Sequence, residues 1–242
     1  LGIAYSWRLS LLAVGSFGFA YAVALVALLE PVHTRRVHDA NTTTGSGSIG
    51  DTLRELAAFA ARRRLLSVFA FYLLSMMAIV GLQSFTTVLA VESYGVDEST
   101  ANTLLSAHLA SMALGVVLGG PLADRLSFGY IIVTSFVLAA AMVWLAAGTP
   151  TTGIVVPAVA LSLAGLLIGV ALPSRDKFAN TRADPGSTGK SFGFYFTGLS
   201  LGAVVSPALL GLVIDRWSTV VAFAVVGTLL LVAVPLVRRP SG

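Results

Sequence analysis

The chain contains no cysteine, and charged residues make up only 11% of its 242 positions. The first absence excludes disulfides and thiolate metal sites. The second excludes an ordinary soluble domain, which carries about 25% charged residues. With 56% hydrophobic residues, too little polar surface remains to wrap a globule in water. A nucleotide-binding loop is also missing. Gly186-Ser-Thr-Gly-Lys190 is too short for Gly-x-x-x-x-Gly-Lys-[Ser/Thr], so ATP drive within the chain is not expected. The sequence offers no catalytic triad, no carboxylate pair and no cluster of metal-ligating residues. The expectation is therefore a protein that is not an enzyme, with no metal and no cofactor.

What is present is apolar length. Seven runs stand out, at roughly 9–29, 66–91, 101–123, 128–147, 153–173, 191–214 and 217–237. Each is about 20 residues or longer, and at about 1.5 Å per residue that spans the ~30 Å core of a bilayer. A β-barrel would need strict alternation in segments of about ten residues. The stretch Leu161-Ser-Leu-Ala-Gly-Leu-Leu-Ile-Gly-Val170 does not alternate. Backbone groups in lipid must be satisfied internally, so helices remain. The expected fold class is all-α: a polytopic membrane helix bundle of seven transmembrane helices.

The net charge of +4 raises the question of nucleic acid, and its distribution argues against that partner. Of the 15 Lys and Arg residues, 13 fall in the segments after the first, third, fifth and seventh runs; only Arg8 and Arg216 lie at the opposite ends. The alternate loops read ESYGVDES (92–99) and GTPTTG (148–153), acidic or neutral. This is the positive-inside asymmetry. It predicts a multi-pass protein of the plasma membrane, with the amino end outside and the carboxyl end in the cytoplasm. The basic clusters then serve as topology signals and headgroup contacts of the bilayer.

One long polar segment interrupts the pattern. ANTTTGSGSIG (40–50) has the composition of a flexible linker, and its Asn41-Thr-Thr sequon lies on the cytoplasmic side by this topology. Next comes DTLRELAAFAARRR (51–64). Asp51 can cap a helix there, and Leu53, Leu56 and Ala60 recur at helical spacing, as in an interfacial helix. The sequence opens at Leu1 with neither a signal peptide nor a charged leader, as a piece of a longer chain would. The first and last spans each begin at a Trp on the outer face, Trp7 and Trp217, and end near a proline on the cytoplasmic face. Interfacial anchoring explains that pattern. So does a parallel repeat of six spans, the arrangement of the two halves of major facilitator transporters.

The gap between the third and fourth runs reads LGGPLADRLSFGY (118–130). Gly120, Leu122, Ala123, Asp124 and Arg125 resemble the signature loop of the major facilitator superfamily, Gly-x-Leu-Ala-Asp-Arg-x-Gly. Here the spacing to Gly129 is one residue too long, and Tyr130-Ile131 replaces the trailing basic pair. The family carries this signature between its second and third helices, and more weakly between its eighth and ninth. Residues 172–217, with Ser174-Arg175-Asp176, Pro185-Gly-x-x-Gly-Lys-x-Phe-Gly193 and Ser206-Pro-x-Leu-x-Gly-x-x-x-Asp215, are similar to the family's tenth and eleventh helices. Trp7-Arg8 resembles the junction before its sixth helix.

The resemblance implies residues 1–30 as the last helix of the amino-terminal half and 31–65 as the central cytoplasmic loop. Residues 66–237 would be the complete six-helix carboxyl-terminal half, and 238–242 a cytoplasmic tail. Five helices of the amino-terminal half would be missing, and that half would be the partner. Gly120, Pro121, Asp124 and Arg125 would form a gating loop, and Arg175 and Asp176 a second cytoplasmic loop motif. On physical grounds Gly119 and Gly120 admit a close neighbouring helix, and Pro121 tolerates a helix end. Asp124 can accept from free N–H groups at a helix start.

Small residues recur every four positions at Ser111, Gly115 and Gly119, at Gly165 and Gly169, and at Gly198, Gly202 and Ser206. Such stripes let helix backbones approach in lipid. His108 is the one clear ionisable residue deep in a span, about 13 Å from its outer end. It is either a functional group or a neutral histidine hydrogen-bonded between helices. Gln83 and Thr87 lie a turn apart on the second run, with Met76 below them. The family's equivalent helix lines the central cavity, so these are candidate substrate contacts, with Tyr195 and Phe196 as weaker ones. No Asp or Glu lies at mid-membrane. A proton-coupled mechanism would then need a carboxylate in the other half, or His108.

The expected function is secondary active transport of a small solute by alternating access, ion-coupled and suited by its charge-poor cavity to efflux of lipophilic compounds. A seven-helix receptor is the competing reading, but neither of the last two runs holds a lysine for retinal. A non-transporting membrane scaffold is a third.

Overall fold

The computed structural model describes residues 7–28, 62–149 and 153–238. Seven helices occupy them: α1 (Trp7–Leu28), α2 (Arg63–Tyr94), α3 (Glu98–Arg125), α4 (Phe128–Gly148), α5 (Val155–Arg182), α6 (Thr188–Arg216) and α7 (Thr219–Arg238). Each coincides with one of the seven apolar runs. Helices α2 to α7 are long and apolar enough to cross a membrane. In α1 the described apolar stretch is Gly15–Leu25. Two compact units divide after Ser48. The first contains α1, and the second contains α2 to α7. The expected linker, the sequon and residues 51–61 of the expected interfacial helix (51–64) lie outside the described residues.

In the six-helix unit, α3 packs most closely on α5, and α2 on α6. Helices α4 and α7 lie outside these pairs, on α5 and α2 respectively and against each other. Exchanging each helix for the one three places away leaves this partner map unchanged. That is the pattern of an internal three-plus-three repeat. Within each close pair the two helices run parallel, because the residue numbers in contact rise together.

Absent side chains make the pairs possible. A Cβ at Gly119 would lie 2.5 Å from the Val170 carbonyl oxygen, and one at Gly165 2.5 Å from that of His108. Methyl groups at Gly115 and Gly169 would overlap the carbonyls of Leu166 and Met112. On the other pair, a Cβ at Gly198 would approach the Phe69 carbonyl oxygen to 2.7 Å, and one at Gly202 would overlap that of Leu73. Ser206 continues the same row and donates to the Met77 carbonyl at 2.6 Å.

Two expectations about these stripes change. The seam on α5 meets His108 and Met112 of α3, while Ser111 is only half-buried beside it. Gly120 has open space around its Cβ position; it faces away from α5, one helical step of about 100° past Gly119.

Aromatic packing closes the end of the six-helix unit at which α2 begins. Phe71 stacks on Phe136 of α4 at 5.7 Å and meets Phe178 of α5 edge-on at 5.6 Å. At the other end, the Trp144 indole N–H donates to the Ala224 carbonyl at 3.1 Å. The Tyr94 hydroxyl donates to the Ala146 carbonyl, and Thr219 donates to Glu92. The α2–α3 turn is built from Gly95 at φ 64, where only glycine is unstrained, and from Asp97 as the N-cap of α3.

Candidate functional site

Tyr72, Met76, Gln83 and Thr87 lie within about 60° on α2, because 3.6 residues make a turn. Tyr72 is buried, while Met76, Gln83 and Thr87 are half-buried. The Gln83 and Thr87 side chains make no hydrogen bond to another described residue. In a membrane-spanning helix a primary amide without a protein partner is costly unless water or a ligand reaches it. Neighbouring Thr86 is fully buried and donates to the Leu82 carbonyl at 2.7 Å, so it is satisfied within its own helix.

His108 is 1% exposed. Its Nδ1 lies 2.8 Å from the Leu161 carbonyl oxygen. A carbonyl only accepts, so Nδ1 carries the hydrogen and Nε2 presents a lone pair. Nε2 is buried without a partner among the described residues. Gly165 permits this approach, since a Cβ there would lie 3.0 Å from Nδ1. The interhelical hydrogen bond that the sequence left open is therefore made. Like the bond from Ser206 to Met77, it joins a side chain of one helix of a close pair to a backbone carbonyl of the other.

At the foot of the α2 face stands a polar group that sequence reading did not assemble. The Tyr72 hydroxyl donates to Asp176 Oδ1 at 2.9 Å, and Arg175 Nε donates to the same oxygen at 3.0 Å. The Arg175 guanidinium lies 4.8 Å from the centre of the Tyr72 ring, within cation–π range. Tyr195 is fully buried, its ring centre 6.1 Å from that of Tyr72 and its hydroxyl without a partner among the described residues. Its neighbour Phe196, 51% exposed, meets the Tyr72 ring edge-on at 6.4 Å. Of the two aromatics named from the sequence, Phe196 is thus the one on an open face.

Both expected cytoplasmic loops are helical. Arg175 and Asp176 sit inside α5, which continues past Pro173 to Arg182. The expected run ended at residue 173 because hydropathy falls there, yet charged residues at a membrane surface do not end a helix. Likewise Gly120, Pro121, Asp124 and Arg125 belong to the last turns of α3. Only Leu126 and Ser127 link it to α4. Asp124 therefore sits at a helix C-terminus and, among the described residues, caps no N-terminus. Its partner is Lys177 of α5, at 3.5 Å. Pro121 is accommodated within the helix rather than at its end.

Comparison with solved structures shows the same architecture. One similar structure is a Major Facilitator Superfamily transporter, FucP, in the outward conformation. It has a TM-score of 0.69 and 18% identity, covering 93% of this chain and 52% of that one. A variant of the E. coli fucose:proton symporter FucP has a TM-score of 0.65 and 20% identity, covering 81% and 46%. A mutant of the peptide transporter POT in complex with alafosfalin has a TM-score of 0.62 and 19% identity, covering 72% and 37%. The chain thus spans about half, or less, of the length of these structures. No curated protein matches its sequence. The family described as Major Facilitator Superfamily matches residues 71–241. With that match over most of its length and a six-helix unit of the same fold, the chain belongs to the Major Facilitator Superfamily of membrane transporters.

Proposed function

We propose that this chain is the carboxyl-side half of a secondary transporter that moves a small solute by alternating access. Residues 1–30 are then the last helix of the other half, and 66–237 form one wall of the central cavity. The amino end lies outside and the carboxyl end in the cytoplasm of the plasma membrane. The observation that carries this reading is the α2 face. In a span otherwise packed with apolar side chains, Gln83 and Thr87 stand half-buried and unpartnered above the Tyr72–Arg175–Asp176 group. The similar proteins include a fucose:proton symporter and a peptide transporter, which supports a small polar or amphipathic solute and a proton as coupling ion. Efflux of lipophilic compounds is also compatible with a wall so poor in charge.

The test is reconstitution. The 242-residue chain alone should give no counterflow of a panel of labelled sugars, peptides and lipophilic cations in liposomes, because half the cavity wall is absent. Supplying the five missing helices as a second segment should restore flux of one class. Gln83→Ala with Thr87→Ala should then lower that flux about tenfold or more, the effect of removing two hydrogen bonds of about 1 kcal/mol each. Flux by the isolated chain, or full flux by the double variant, defeats the reading.

A further inference from the structure

The seam between α3 and α5 stops abruptly. From His108 to Gly119 on α3, and from Leu161 to Val170 on α5, the backbones touch. One step later Gly120 has open space around it, and Pro121, Leu122, Asp124, Arg125 and Leu126 are exposed. Ala123 alone is buried in this tip. Pro121 has no N–H to give to the carbonyl four residues back, so the α3 ladder is interrupted where the packing ends.

The neighbouring end of α5 is held differently. Asp176 is bonded to Tyr72, Arg64 donates to the Thr181 carbonyl, and Phe178 is packed against Phe71 and Phe128. The side chain of Lys177 crosses from this anchored end to the loose one. Lys177 Nζ donates to the Ala123 carbonyl at 2.8 Å and lies 3.5 Å from Asp124 Oδ1. Ala123 is in the last turn of α3, where carbonyls lack intrahelical donors and positive charge is favoured.

We propose that Lys177 is a positioning residue, capping the C-terminus of α3 from α5 and holding in place a tip hinged at Pro121. The tip carries Asp124 and Arg125, the residues that resemble the family's signature. Lys177 thereby sets where those two charges stand relative to the six-helix unit. Its release lets the tip swing without disturbing the glycine seam. The inference needs only the six-helix unit and stands independently of which solute, if any, the chain helps to move.

Hydrogen–deuterium exchange of the full chain in lipid nanodiscs tests it. The reporter is the tip at 122–127, whose Leu126 amide donates to the Leu122 carbonyl. Lys177→Ala should speed exchange there about two- to fivefold, the size of one helix-terminus charge contact. Exchange over 108–119 should not change. Lys177→Arg should restore protection. Asp124→Asn should leave protection intact, because the carbonyl contact survives. Adding Pro121→Ala to Lys177→Ala should return the tip toward wild-type exchange by restoring the ladder. Wild-type exchange in Lys177→Ala, or acceleration spread along all of α3, overturns the clamp. Failure of the arginine rescue, or acceleration by Asp124→Asn, overturns the carbonyl cap. Unchanged fast exchange in the double variant overturns the hinge.

Discussion

A methyl group on Gly169 would overlap the Met112 carbonyl oxygen, whereas one on Gly120 would meet nothing within 4 Å. The two positions are indistinguishable by residue type, and only the direction in which each faces separates them. Gly169→Ala should lower stability by about 1–3 kcal/mol, the usual cost of overpacking. Gly120→Ala should be neutral or stabilising by up to ~1 kcal/mol from helix propensity. Thermal unfolding in detergent would check both, and equal effects would remove the distinction. Asp97 gives a pH-dependent case. The Thr100 hydroxyl and backbone N–H donate to its carboxylate and hold its pKa below the usual value. A lowered folded-state pKa means stabilisation that is full above the unfolded pKa and is lost as pH falls through the folded one. Wild-type protein should therefore be more stable than Asp97→Ala at neutral pH, with the gap closing on acidification through and below the carboxylate range. A gap that persists in acid would show that the cap acts through something other than its charge.

At the scale of elements, the apolar runs located all seven helices, because a bilayer-spanning helix must be long and continuously hydrophobic. Their ends were less legible. Helix α5 runs on to Arg182, well beyond its expected stop at residue 173, since backbone hydrogen bonding continues through Arg175-Asp176-Lys177 once α2 and α3 supply partners. Proline behaved similarly. Pro121 read as a helix end in the sequence, yet it lies inside α3, as Pro173 lies inside α5. The small-residue stripes at Gly115–Gly119, Gly165–Gly169 and Gly198–Gly202 were visible as spacing. Which helix each would touch was not. The parallel pairs α3–α5 and α2–α6 join elements that are not neighbours in sequence. Lys177 was overlooked because its acceptor, Ala123, is 54 positions away and is a backbone carbonyl, to which no sequence motif points. Tyr72 lies one turn below Met76, and that spacing was the available clue.

For the molecule as a whole, orientation is the most directly testable property, and the lack of native cysteine makes labelling unambiguous. A cysteine at Ser187, before α6, should be shielded from impermeant maleimide in intact cells, and one at Ser99, in the first turn of α3, should react. The reverse pattern would invert the topology. The six-helix unit carries its own repeat, a continuous core from Leu65 to Val237 and interhelical seams on both close pairs. The exposed apolar side chains of α3 and α6, among them Leu114, Val117, Val204 and Leu209, lie on faces that lipid or further helices must cover.

Hydropathy, charge placement and two short motifs were enough to determine a helical membrane protein, its expected sidedness and its family resemblance. These follow from the sequence because they depend on each segment's own exchange between water and lipid. The tertiary structure decided which glycines touch a backbone, that His108 is pinned to Leu161, and that a lysine on α5 caps α3. Those depend on which helix stands beside which, and in a bilayer that choice rests on close packing and paired polar groups, because apolar faces alone do not discriminate among neighbours.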